Sequence, residues 1–196
     1  MKDVPERDEM TLIRDAAKGD ASAFERLMRE HEGRMYAVAL RMCGNREDAQ
    51  DCLQEAMLRI FRALGSFKGQ STFSTWVYRV TMNACLDELR RRKVRTASSL
   101  DVLLDNGWAP TSEDDTPEKY SIAADQRRYL QKAIASLPED MRAAIVLRDV
   151  QGFSYDEIAR VLDANVGTIK SRISRGREKL REILLKQPEL FDRYPA

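Results

Sequence analysis

The chain has 196 residues, 33 basic and 32 acidic side chains, a net charge of +1 and 43% apolar residues, the composition of a water-soluble protein with one or two modest cores. No apolar run approaches the roughly 20 residues of a membrane-spanning helix, and the opening MKDVPERDEM is too polar for a secretory signal, so a cytoplasmic protein without membrane insertion is expected. Cys43, Cys52 and Cys85 show neither C-x-x-C spacing nor an even count, which argues for buried free thiols against a disulfide framework or zinc site; no cofactor is expected.

Helical periodicity dominates and no useful β-alternation occurs, predicting an all-α fold. A first helix is expected from about Met10 to Lys18, broken at Gly19 and Asp20, and a long second one ending near Gly44. Along the latter, Phe24, Leu27, Met28, Met35, Val38 and Met42 form a stripe that His31 continues, which makes the single histidine a core-edge residue. Asn45 caps the third helix, whose apolar face is Leu53, Met57, Ile60, Phe61 and Leu64 and which stops at Gly65. Opposite lie Asp48, Asp51, Glu55, Arg59 and Arg62, with Leu58 exposed among them and Gln54 at the edge. An acidic patch holding a leucine repels DNA and suits a protein partner; alone, it also reads as an ordinary solvated face.

Phe67 to Thr72 is a loop, and Ser71 caps a fourth helix reaching Arg92. Tyr78, Met82, Cys85 and Leu89 give that helix a core stripe. Arg79, Asn83 and Arg90 share another face with Trp76 alongside, and the helix ends in a basic run containing Arg91. Arginine beside exposed rings suits an unpaired nucleic-acid strand, whose bases stack while cations track phosphates. Tyr78 reads as core; Phe73 and Trp76 fit either the core or an exposed stack.

Residues 96–118 are rich in Ser, Thr, Asp, Pro and Gly without helical period, a flexible linker. Its Leu100, Val102, Leu103, Leu104 and Trp108 are apolar enough to lie against a partner surface. Charge is segregated along the chain: net −3 over 1–60, +6 over 61–95, −6 over 96–118 and +4 over 119–196. Two basic blocks around an acidic one suggest two contacts with nucleic acid, joined by something that avoids or imitates it.

After Tyr120, Leu130, Ala133, Ile134 and Leu137 form another helical stripe, and Pro138 opens a helix over Met141 to Val150. Ser154 and Glu157 make a capping box for a helix from Tyr155, with a turn at Asp163, Ala164, Asn165 and Val166. Beyond it Ile169, Ile173, Leu180, Ile183 and Leu184 recur at helical spacing, with Gly176 on the same face where a neighbouring helix can approach. Ser171, Ser174, Arg175 and Glu178 project oppositely, flanked by Lys170, Arg177 and Arg181 on one side and Arg172 and Lys179 on the other. Cap, turn and two-sided basic flanking describe a helix-turn-helix DNA reader.

With these residues in view, the chain resembles the bacterial sigma-70 family of RNA polymerase sigma factors, in its small extracytoplasmic-function (ECF) group. The resemblance runs from about Leu12 to Leu185 and rests on DAQDCLQEAMLRIFRAL at 48–64, FKGQSTFSTWVYRVTMNACLDELRRRK at 67–93 and SLPEDMRAAIVLRDVQGFSYDEIARVLDANVGTIKSRISRGREKLREIL at 136–184. It implies two small helical domains: sigma domain 2 over 1–95 and sigma domain 4 over 120–185, joined by an acidic linker at 96–119 and followed by a tail at 186–196. Asp48, Asp51, Gln54, Glu55, Leu58 and Arg59 then fall in the segment that docks on the β′ clamp helices of RNA polymerase core. Phe67, Lys68 and Phe73 fall in the loop that captures a base of the melted non-template strand, and Trp76, Arg79, Asn83, Arg90 and Arg91 in the helix that reads the −10 element. Thr168, Lys170, Ser171, Arg172, Ser174, Arg175, Arg177 and Lys179 fall in the helix that reads the −35 element on double-stranded DNA.

The resemblance further implies docking of domain 4 on the β flap, a linker whose charge mimics nucleic acid, and control by an anti-sigma factor. It implies a specificity subunit with no catalytic residue, since promoter opening draws on binding energy alone. Asp87, an acid one turn beyond Asn83, departs from the pattern in a way that tunes or weakens −10 contacts. The alternative is a stand-alone helix-turn-helix repressor or activator, which has no need for the acidic face and arginine-rich helix of 48–95. An enzyme acting on nucleic acid lacks support: no GxxxxGK loop and no metal-spaced histidine set is present.

Overall fold

A computed structural model describes residues 9–98 and 117–187, whose regular elements are all helical, with no strand among them. The first unit contains α1 (Glu9–Ala17), α2 (Ala21–Cys43), α3 (Arg46–Ala63) and α4 (Phe73–Ser98), with a 3-10 turn at Leu64–Ser66 after α3. Asp20 starts α2 by accepting the amides of Ser22 and Ala23, and Gly44 ends it at φ +81°, a left-handed turn that glycine adopts without steric cost. Asn45 caps α3 by accepting the Asp48 amide at 2.8 Å. Because α4 begins at Phe73, the oxygen that reaches its third amide is that of Thr72, 3.2 Å from the Thr75 N–H. The expected cap, Ser71, instead donates to the Thr72 carbonyl.

Leu27, Met28, Met35, Ile60, Phe73 and Val77 pack into the core of this unit, each stabilising it by about 1.5–3 kcal/mol through burial. Two residues expected on apolar faces sit at its rim. Phe61 is 42% exposed and lies edge-on to Phe24 at 5.1 Å, and His31 is half-buried, edge-on to Phe73 at 5.4 Å. Burial lowers the His31 pKa, in keeping with a core-edge residue.

The expected linker is helical at both ends, with α4 running to Ser98 and the next helix, α5 (Pro117–Ala135), starting before Tyr120. The apolar residues Leu100, Val102, Leu103, Leu104 and Trp108 lie outside the described residues, as does most of the tail. The second unit continues with α6 (Glu139–Ile145), which loosens into a π-helical turn at Val146–Val150, then α7 (Tyr155–Val161) and α8 (Val166–Leu184). Ser154 and Glu157 complete the capping box of α7 in both directions. Asn165 is more than a turn residue: its side chain accepts the Thr168 amide at 2.7 Å and caps α8, so Val166 belongs to the helix.

The two units share a core. Val38, Met42, Met82 and Cys85 of the first cluster with Ile134, Leu137, Ile145 and Ile158 of the second. Tyr78 packs edge-on against Phe153 at 4.8 Å and donates to Gln151 at 3.2 Å, while Gln131 donates to the Leu40 carbonyl at 2.7 Å. Across this seam Arg142, only 8% exposed, donates to the carbonyls of Met42, Ala135 and Leu137. The sequence leaves one or two cores open, because its pattern shows which faces are apolar and not which faces meet.

Candidate nucleic-acid interface

The α8 helix presents its basic and polar face because its opposite face is locked. Ile169, Ile173 and Gly176 are buried, and a Cβ on Gly176 would stand 2.9 Å from Ile145 Cγ1, so the close approach read from the sequence is made to α6. Lys170, Ser171, Ser174, Arg175 and Lys179 are exposed and Thr168 is partly so. Two of the flanking arginines are paired with acids of the same unit. Arg172 donates to Asp140 at 2.8 Å and Arg177 is bidentate on Asp149, whose hydrogen bond raises the arginine's pKa. Lys170 and Arg148 both face the Tyr155 ring, at 5.8 and 4.8 Å from its centroid. Neither acid carries a sequence signal, since Asp140 lies 32 and Asp149 28 residues from its arginine.

On α4, Arg79, Asn83, Arg90 and Arg91 are exposed along the outer face, and Lys68 projects from the loop before it. The rings are arranged differently from an exposed stacking platform. Phe73 is 2% and Trp76 7% exposed; they stack at 5.8 Å, with Phe67 5.5 Å from each. Of the three, Phe67 alone keeps partial exposure, because burying two large rings outweighs leaving them wet. The cleft beside Phe67, about 370 Å³, is lined by Lys68, Trp76 and Arg79 and also by Arg160 and Asp163 of the second unit.

The acidic face of α3 is partly neutralised from within. Arg59 bonds Glu55 and Asp87, each at 2.7 Å, and Asp87 also holds Arg90 at 3.2 Å. These bonds raise the Arg59 pKa, Asp87 contributing most, and lower that of Glu55. Asp87 thus ties α3 to α4 besides holding one arginine of the outer face. Asp48 accepts from Asn45 and pairs with Arg92 at 3.0 Å. Asp51 and Gln54 remain exposed, as does Leu58 at 44%.

Comparison with known proteins follows the same division. The Sigma-70 region 2 model matches residues 27–95 and the Sigma-70 region 4 model residues 127–180. The chain is 39% identical over 174 residues to the ECF RNA polymerase sigma factor SigE of Mycolicibacterium smegmatis, covering 87% of this chain and 66% of that protein. It is 34% identical over 178 residues to the RNA polymerase sigma-H factor of Pseudomonas aeruginosa, covering 88% and 92%. It is also 36% identical over 177 residues to the ECF RNA polymerase sigma-E factor of Escherichia coli K12, again covering 88% and 92%. Among solved structures, RpoE in complex with the anti-sigma factor NepR from Bartonella quintana superposes with a TM-score of 0.68 at 25% identity, covering 82% of this chain and 96% of that one. CnrH in complex with the cytosolic domain of CnrY gives 0.62 at 26% identity, covering 90% and 96%.

Proposed function

The chain belongs to the ECF group of the sigma-70 family and is an alternative sigma factor that directs transcription initiation, and from that premise we propose which of its faces do what. The exposed α8 face reads the −35 element as duplex: Ser171, Ser174 and Arg175 reach base edges while Lys170 and Lys179 hold phosphates. Arg172 and Arg177 act from their carboxylate tethers, as supports that exchange partners when phosphate arrives. The outer face of α4 reads the −10 element, with Arg79, Arg90 and Arg91 on the backbone and Asn83 on a base. Phe67 and Lys68 receive a base from the melted non-template strand, and Phe73 and Trp76 act as the packed floor behind them.

Asp51, Gln54, Leu58 and the Glu55–Arg59 pair form the docking face for the β′ clamp helices of RNA polymerase core, and the second unit docks on the β flap. An anti-sigma factor, such as those bound in the two solved relatives, is the partner proposed for control. The protein works inside the cell as a specificity subunit without chemistry of its own.

The observation that carries this reading is two separated cationic faces, on α4 and α8, preceded in sequence by the acidic, leucine-bearing face of α3. The experiment is transcription from a defined promoter by purified chain plus core polymerase. Arg175→Ala is expected to cost about 1–3 kcal/mol of selectivity at one −35 position, and Asn83→Ala to shift −10 preference. Equal loss at every promoter variant would make either residue a phosphate anchor. Tight operator binding without core, and no initiation with it, would favour the stand-alone repressor.

A further inference from the structure

The linear spacing of the cysteines hides what the fold does with them. The end of α2, the first half of α3 and the middle of α4 converge so that the Sγ atoms of Cys43, Cys52 and Cys85 all lie within 4.8 Å of one another, with Cys43 and Cys52 3.4 Å apart. The three residues are 5%, 2% and 0% exposed and none is in a disulfide. Three sulfurs bound to one ion at about 2.3 Å each stand about 4 Å apart, so sub-ångström side-chain shifts close the triangle. Among the described residues no histidine or carboxylate joins the set.

A second observation lies one residue away. Arg142 is a buried cation whose hydrogen bonds go to carbonyls alone, whose Nε has no partner, and which has no ion pair among the described residues. A buried guanidinium with no directly paired carboxylate is costly. The carbonyl it grips on α2 belongs to Met42, the neighbour of Cys43, so negative charge on the thiol cluster would compensate it.

We infer that Cys43, Cys52 and Cys85 form a binding site for a thiophilic metal ion, with three thiolates as ligands and Cu(I) as the ion that fits. Thiolates select soft ions such as Cu(I) and Zn(II), and a structural Zn(II) site takes four ligands where this one offers three. Three thiols release three protons on binding Cu(I), no electron moves, and the complex carries a charge of −2 beside Arg142. The ion ties α2, α3 and α4 together where α2 holds the second unit.

The test is anaerobic titration of the reduced full-length chain with Cu(I) against a coloured Cu(I) chelator, followed by X-ray absorption at the copper edge. Uptake of one equivalent with three sulfur ligands is expected, and Cys52→Ser and Cys85→Ser are each expected to weaken uptake at least tenfold with unchanged helical content by circular dichroism. The wild-type absorption reading decides the question even where a variant fails to fold. No uptake, fewer than three sulfurs, or folded variants that bind as well as wild type would overturn the site.

Discussion

Arg142 answers a need that helices create for themselves. Every helix leaves carbonyls unpaired at its C-terminal end, and the guanidinium serves two such ends at once: Met42 at the close of α2, and Ala135 and Leu137 at and just beyond the close of α5. A cation there also meets the negative ends of two helix dipoles. Arg142→Met keeps much of the volume and strips the donors, leaving three carbonyls dry. It is expected to lower the free energy of unfolding by about 3 kcal/mol, read from urea denaturation, with Arg142→Lys intermediate because an ammonium lacks the planar fork. No sequence pattern announces this role, since the bonds span 5 to 100 residues.

At the level of elements, the contact of α8 with α6 is set by Gly176. A helical alanine is favoured over glycine by about 1 kcal/mol, but the added Cβ would stand 2.9 Å from Ile145 Cγ1 and 3.4 Å from Met141 Cβ, and overpacking of this kind costs about 1–3 kcal/mol. The clash is with a fully buried side chain that has little room to yield, so Gly176→Ala is expected to destabilise by about 1 kcal/mol. Thermal melting checks the sign, and a higher midpoint would show that α6 gives way. This feature was legible in the sequence, because a glycine on an apolar helical face has few other reasons to be there. The Ser154–Glu157 box and the Asn45 cap were legible for the same reason: their chemistry is local. Phe73 and Trp76 were not, since their burial depends on Phe67 and His31 arriving from a loop and another helix. The tethering of Arg172 and Arg177 was hidden likewise, as charge patterns along one helix are silent about acids on another.

Across the whole molecule, the seam decides how the two basic faces are presented. The Phe67 cleft of the first unit is walled on one side by Arg160 and Asp163 of the second, so the cleft borders the helix-turn-helix. Phe153→Ala removes the ring that meets Tyr78 edge-on, an interaction worth about 0.5–1.5 kcal/mol beyond its area. The variant is expected to keep its helix content and to show a larger radius of gyration in small-angle scattering; an unchanged radius would mean the remaining contacts hold the seam alone. The shared core also turns closure into a thermodynamic filter. A partner that accepts only the separated units has an intrinsic affinity diluted by the fraction of molecules open at any instant, and each loss of about 1.4 kcal/mol at the seam enlarges that minority about tenfold. Binding strength can then change through residues such as Phe153 and Gln151 that the partner never touches.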